Sequence, residues 1–264
     1  MAENFNELLT QGIAVLETGE IREASDKFRQ CTELEPDNPE GHFHLGHSLA
    51  EMGKLEEAQQ VYEKGLGLAP EDAEALTALG DIYFELGKYK SAIAAYKKVT
   101  EINPKDPDGY VSIGLVYNSM ERMEDAMKAY QTALELDPRN VFAYNALGDA
   151  YYGMNEREKA IDAYRKGIDI DPSDAAAHFN LGELYYDLEE LENAEKECME
   201  AIRLDPSFTL GYLTMGNLCL DQERIADAIN YFEIYLKKEK SPRAAEMVAE
   251  VKAVLEGLRE EMKG

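Results

Sequence analysis

The sequence predicts an all-α array of seven helical hairpins closed by one further helix, fifteen helices in all. Three residue types carry this prediction by recurring every 34 residues. Proline stands at Pro36, Pro70, Pro104, Pro138, Pro172 and Pro206. Glycine stands at Gly12, Gly46, Gly80, Gly114, Gly148, Gly182 and Gly216, and alanine at Ala24, Ala58, Ala92, Ala126, Ala160, Ala194 and Ala228. A period of this length marks stacked supersecondary units, each of which buries its apolar face on its neighbours. Such an array also suits a chain of 264 residues, a length at which single cores stop growing.

Within each unit the residue types follow from helix chemistry. The glycine lies inside an apolar helical pattern, as among Tyr110, Ile113, Gly114 and Tyr117. Glycine in a helix interior costs about 1 kcal/mol against alanine, so its recurrence points to close approach by a second helix. The alanine twelve residues later supplies a small surface on that second helix. Large residues fill the flanks: Tyr83, Tyr117, Tyr151 and Tyr185 on first helices, and Phe28, Tyr62, Tyr96, Tyr130, Tyr164 and Phe232 on second helices. The proline stops the second helix because it cannot continue the hydrogen-bond ladder. Asp37 or Asn38 before Pro39, and Asp106 before Pro107, are start signals for the next unit.

A 34-residue unit with Gly at the eighth place, Ala at the twentieth and Pro at the thirty-second resembles the tetratricopeptide repeat. The resemblance runs from Phe5 to about Pro242 and sets units at 5–38, 39–72, 73–106, 107–140, 141–174, 175–208 and 209–242. It implies a right-handed superhelical solenoid with first helices on the concave face and second helices on the convex one. Departures fall at the ends: Gln11 replaces a large apolar residue, and Lys240 replaces the proline. Residues 243–264 are expected to form a capping helix, with Met247, Val251, Val254, Leu255, Leu258 and Met262 at helical spacing.

Composition bounds the function. The net charge is −26, which argues against nucleic acid and anionic membrane surfaces as partners and favours basic ones. Cys31, Cys198 and Cys219 are odd in number, widely spaced and at packing places, so buried structural thiols in a reducing compartment are expected. The N-terminal residues lack the basic and apolar regions of a secretory signal, and no run is apolar enough to span a membrane. A cytoplasmic protein is the expectation. No nucleophile–base constellation, phosphate loop or HExxH motif occurs, so neither an enzyme nor a cofactor is expected. His42, His44 and His47, with Glu51 one turn on, form an incomplete ligand set, and no metal site is expected.

The first-helix segments carry the more pointed signal. Residues 5–18 and their six equivalents hold twelve acids and not one Lys or Arg. The resemblance assigns ligand-facing roles to the second, fifth, sixth, ninth, twelfth and thirteenth places. Here these include Phe43, His47, Asp81, Phe84, Leu115 and Asn118, then Phe142, Asn145, Asp149 and Tyr152, then Phe179, Asn180, Glu183 and Tyr186. The clamp for acidic chaperone tails is absent, since Leu9, Ile13, His44, Glu74 and Ala78 occupy its places. The asparagine ladder of sugar-transferase regulatory solenoids is absent too. The expected function is a scaffold or adaptor holding a basic or amphipathic peptide segment of another protein in an acidic, aromatic groove. The alternative is an assembly protein that forms homo-oligomers through its terminal repeats, where Leu9, Ile13 and Leu16 make an apolar stripe.

Overall fold

The computed structural model describes residues 4–241 and 244–261, and among them it holds fifteen α-helices and no strand. The chain divides into two compact units, Met1–Pro138 and Arg139–Gly264. The first contains four hairpins: α1 (Phe5–Glu17) with α2 (Ile21–Leu34), α3 (Pro39–Glu51) with α4 (Leu55–Leu68), α5 (Ala73–Glu85) with α6 (Tyr89–Ile102), and α7 (Pro107–Ser119) with α8 (Met123–Leu136). The second contains three: α9 (Val141–Gly153) with α10 (Arg157–Ile170), α11 (Ala175–Asp187) with α12 (Leu191–Leu204), and α13 (Thr209–Asp221) with α14 (Ile225–Lys238). A last helix, α15 (Ala245–Glu261), follows. Pro242, Arg243 and Met262, assigned by the sequence to the last hairpin and the cap, lie outside the described residues.

Six of the seven first helices begin at a side-chain cap in the 34-residue register. Asn4, Asn38, Asp72, Asp106, Asn140 and Asp174 each accept from a backbone N–H in the first turn, at 2.8–3.2 Å. These bonds satisfy donors that the helix leaves unpaired. Asn38 rather than Asp37 is the cap. The seventh place is Phe208, which makes no cap bond and instead packs edge-on against Phe179, ring centroids 4.9 Å apart.

The recurring glycine receives an aromatic ring. A Cβ on Gly114 would stand 2.3 Å from the Tyr130 ring, and Gly12, Gly46, Gly80, Gly148 and Gly216 meet Phe28, Tyr62, Tyr96, Tyr164 and Phe232 at 2.3–2.6 Å. The seven alanines are fully buried. Glycine and ring together close the hairpin, and alanine brings the helix that carries the ring near. Gly182 differs: its neighbour is Cys198 Sγ at 2.6 Å, with the Cys198 backbone nitrogen at 3.2 Å. All three cysteines are free and fully buried. Burial pushes the Cys198 thiol up to about 12.

The end elements follow the same physics. Gln11 is exposed and its Oε1 accepts from Lys27 Nζ at 2.9 Å, so no large apolar residue is needed there. Leu9, Ile13 and Leu16 are half-buried and packed on the core that Phe28, Leu45 and Leu49 share. At the other end α15 lays Val251, Leu255 and Leu258 against the Phe232–Tyr235 cluster. Met247 and Val254, read from the sequence as part of that covering stripe, stay exposed.

Candidate functional site

In residues 1–138, Phe43 is half-buried over Gly65, its ring centroid 6.1 Å from that of Tyr62. Phe84 is half-buried with its ring 5.9 Å from Tyr89. His47 and Leu115 are exposed. Asp81 accepts from the Tyr96 hydroxyl at 2.5 Å. Asn118 is half-buried, and its buried Oδ1 has no hydrogen-bond partner.

His42 and His44 of this unit serve local structure, while His47 is exposed. His42 Nε2 lies 2.9 Å from the Pro36 carbonyl, and His44 stacks on Phe28 with ring centroids 5.0 Å apart. Burial holds the His44 imidazole below its ordinary pKa. Among the described residues no group of three or more His, Cys, Asp or Glu is placed to hold a metal ion.

In residues 139–264 the polar groups of neighbouring first helices are joined. Asn180 Nδ2 donates to Asp149 Oδ1 at 3.3 Å, and Thr214 Oγ1 donates to Glu183 Oε1 at 2.6 Å. Tyr152 donates to Asp187, and Tyr186 donates to Asp221 at 2.5 Å. Asp149 also accepts from the Tyr164 hydroxyl at 2.6 Å, and Asn145 Nδ2 donates to Asp174 Oδ2 at 2.6 Å. Burial pushes the carboxyls of Asp149 and Glu183 up from their ordinary values, against the lowering effect of these donors. Phe142 stands 71% exposed at the start of α9. Phe179, expected to face a ligand, is buried against Phe208 and acts in packing instead.

Sequence models for the TPR repeat match residues 46–84, 80–120, 114–155 and 149–189, and further tetratricopeptide repeat models match 27–60 and 175–208. The chain belongs to the tetratricopeptide repeat family. Members of this family typically act as interaction scaffolds rather than catalysts. Among solved structures, MamA is 27% identical, over 62% of this chain and 96% of that one, with a TM-score of 0.57. Yeast Tom70 is 18% identical over 99% of this chain and 56% of that one, with a TM-score of 0.82. Cut9, from the APC/C hetero-tetramer Cut9–Hcn1, is 16% identical over 94% of this chain and 49% of that one, with a TM-score of 0.68. The last two share the fold alone. No curated protein sequence matches the chain significantly.

In the tetratricopeptide frame the bonds follow two rules. An acid at the ninth place accepts from the sixth place of the next unit, a spacing of 31 residues. A tyrosine at the twelfth place donates to an acid at the thirteenth place of the next unit, a spacing of 35. The repeat register sets these residues on one face with carboxylates open to a ligand, whereas in the structure the carboxylates are hydrogen-bonded. Asp187, Thr214 and Asp221 emerge as their partners. The paired spacings of 31 and 35 residues were the available signal.

Proposed function

We propose that this tetratricopeptide chain is a protein-interaction scaffold whose first-helix face in residues 139–264 holds a basic, partly apolar segment of a partner protein. The observation that carries the proposal is the tyrosine–carboxylate ladder itself. It sets Asp149, Glu183, Asp187 and Asp221 on helices that contain no Lys or Arg. A carboxylate offers about four acceptor sites. The ladder uses one or two of them on each acid, so the charge remains and the geometry is already fixed. Such preorganisation lowers the entropy lost on binding.

Magnitudes set the form of the ligand. An exposed ion pair contributes about 0.2–1 kcal/mol, and burying one large apolar side chain about 1.5–3 kcal/mol. Charge alone therefore gives little affinity, and apolar contact alone selects no sign. The ligand best suited has two or three large apolar residues among basic ones, with Phe142, Tyr152 and Tyr186 as apolar contacts and the carboxylates setting selectivity and on-rate. On residues 1–138, Phe84, Asp81, His47 and Leu115 offer a sparser face of the same kind. The alternative of assembly through the first repeat gains nothing from the structure, because Leu9, Ile13 and Leu16 are drawn into the core.

Surface-plasmon kinetics on the partner recovered by affinity capture provide the test. Asp149→Lys with Glu183→Lys is expected to slow association and flatten its salt dependence, while Tyr152→Ala chiefly speeds dissociation. An acidic ligand held on this first-helix face, or a basic ligand indifferent to all three substitutions, contradicts the proposal.

A further inference from the structure

The second-helix side of residues 1–138 carries a cleft of about 360 Å³. α4 and α6 wall it, and Leu76, Leu79 and Tyr83 of α5 form its floor. Small residues keep it open: Ala94 and Ala95 on α6, and Gly67 on α4, where an added Cβ would meet nothing within 4 Å. Three repeat periods later the same places surround a second cleft, between α10 and α12. There Lys196 and Glu197 stand in place of Ala94 and Ala95, and His178 in place of Leu76. His178 Nδ1 lies 2.6 Å from Glu197 Oε2, so this second floor is occupied by its own polar chemistry. The first cleft is the apolar version of one recurring site.

A separate observation concerns charge. Residues 88–105 contain Lys88, Lys90, Lys97, Lys98 and Lys105 against the single acid Glu101, in a chain of net charge −26. All five lysines are exposed. Among the described residues none is in an ion pair, whereas Arg122, Lys159, Arg203 and Arg224 elsewhere each hold a carboxylate. Lys88 donates to Gln59 of α4 at 2.6 Å, and Lys98 lines the cleft. Lys90 and Lys97 lie on the adjoining face of the same helix, by the 3.6-residue turn. The acid on the α4 wall, Glu63, already accepts from Gln59 at 2.6 Å and from Tyr83 at 2.7 Å.

We propose that the α4–α6 cleft docks an acidic segment of a partner protein, with one or two of its aliphatic or aromatic side chains on the Leu76–Leu79–Tyr83 floor and its carboxylates on the lysines of α6. Cleft and charge require each other: the floor is large enough for a side chain or two, near the low end of ligand pockets at about 300 Å³, and the lysines choose the sign. A short acidic segment fits better than a second copy of the chain, since two copies each carrying −26 repel one another as they approach. This surface is distinct from the first-helix face and takes the opposite charge.

The test is selection of displayed random dodecapeptides on the full chain, followed by fluorescence-polarisation titration of the enriched peptides. An acidic class bearing one or two large apolar residues is expected. Lys97→Glu with Lys98→Glu should weaken it about tenfold. Gly67→Glu, which raises helix propensity and whose Cβ meets nothing within 4 Å, should weaken it about fivefold by placing like charge in the cleft. Asp149→Lys with Glu183→Lys should leave it bound. The proposal is overturned if no acidic class is enriched, or if that class binds Gly67→Glu as well as wild type. It is also overturned if sedimentation shows wild-type self-association that the lysine substitutions abolish, which would assign the face to a second copy.

Discussion

Residues 1–138 and 139–264 place the same helices in the same 34-residue register, yet they finish the surface of those helices differently. In the second unit neighbouring first helices are linked by hydrogen bonds at the sixth, ninth, twelfth and thirteenth places. In the first unit the acids Glu17, Glu51, Asp81 and Glu85 stand at those places together with His44, His47, Ala78, Phe84, Ser112, Leu115 and Asn118, yet no such linkage forms among the described residues. The clefts beside the second helices differ too: the floor is apolar in the first unit, whereas in the second His178 and Glu197 are hydrogen-bonded to each other there. The turns differ as well. The fifteenth place has positive φ throughout, with Gly19, Gly53 and Gly87 first and then Glu121, Asn155, Glu189 and Glu223. The glycine–ring–alanine contact is thus common to six of the seven hairpins, with Cys198 in the ring's place in the sixth, while faces and turns are free to vary. The frame builds the scaffold, and the residues between frame places decide what it holds.

The largest expected effect tests the common part. Gly114→Leu should destabilise by about 1–3 kcal/mol in chemical denaturation, because the side chain must displace the fully buried Tyr130 ring. Gly182→Leu should cost at least as much, since the Cys198 backbone stands behind the sulfur and cannot turn aside. Equal stability of either variant and wild type would remove the packing account.

Next in size comes the ladder. Thr214→Val removes the donor to a carboxylate that burial already disfavours, and about 1–2 kcal/mol should be lost. Ser112→Ala, at the equivalent place in the first unit, should change stability by less than about 0.5 kcal/mol. Similar losses at both sites would show that the ladder adds nothing specific to the second unit.

The turn residues give a smaller effect of opposite sign. A non-glycine residue in the left-handed region pays about 1–2 kcal/mol, part of which glycine's unfolded-state freedom offsets. Glu223→Gly should therefore raise stability by about 0.5–1 kcal/mol, and Gly87→Glu should lower it by a similar amount, both read from denaturation midpoints.

The smallest effect is a pH dependence. The folded-state pKa values of Asp149 and Glu183 are raised by burial. Their neutral forms therefore favour the folded state at acid pH, and that contribution is lost as pH rises through the folded pKa values. Lowering pH from 7 towards the carboxyl range should stabilise wild type relative to Asp149→Asn with Glu183→Gln. The same acidification should weaken a basic ligand. A thermal midpoint that falls identically in both proteins contradicts this.

The frame was legible because it rests on residues that one physical requirement fixes: no Cβ at Gly114, a small Cβ at Ala126, a helix stop at Pro138. The buried fate of Cys31, Cys198 and Cys219 followed from the same register. The face was legible only as a set of positions. Phe179 reads like Phe142 at the level of side-chain type, but it is buried because Phe208 occupies the cap position beside it, a contact spanning 29 residues. Asp149 and Glu183 read as open acids because their donors, Asn180 and Thr214, lie one unit further on. Met247 shows the converse: helical spacing sets it in the expected stripe, but the packed face of α15 runs through Val248, Val251, Leu255 and Leu258 and leaves it exposed.

The central claim is that the tyrosine–carboxylate face of residues 139–264 is the ligand surface for basic, apolar-anchored segments. Its most direct test is titration of the perdeuterated, ¹⁵N-labelled chain with a synthetic dodecapeptide of Lys, Arg, Leu and Phe, followed by amide chemical shifts. The shifts should concentrate on α9, α11 and α13, strongest around Phe142, Asp149, Tyr152 and Glu183, and should shrink in Asp149→Lys with Glu183→Lys. Shifts confined to α10, α12 and α14, or unaffected by the charge reversal, would contradict the account.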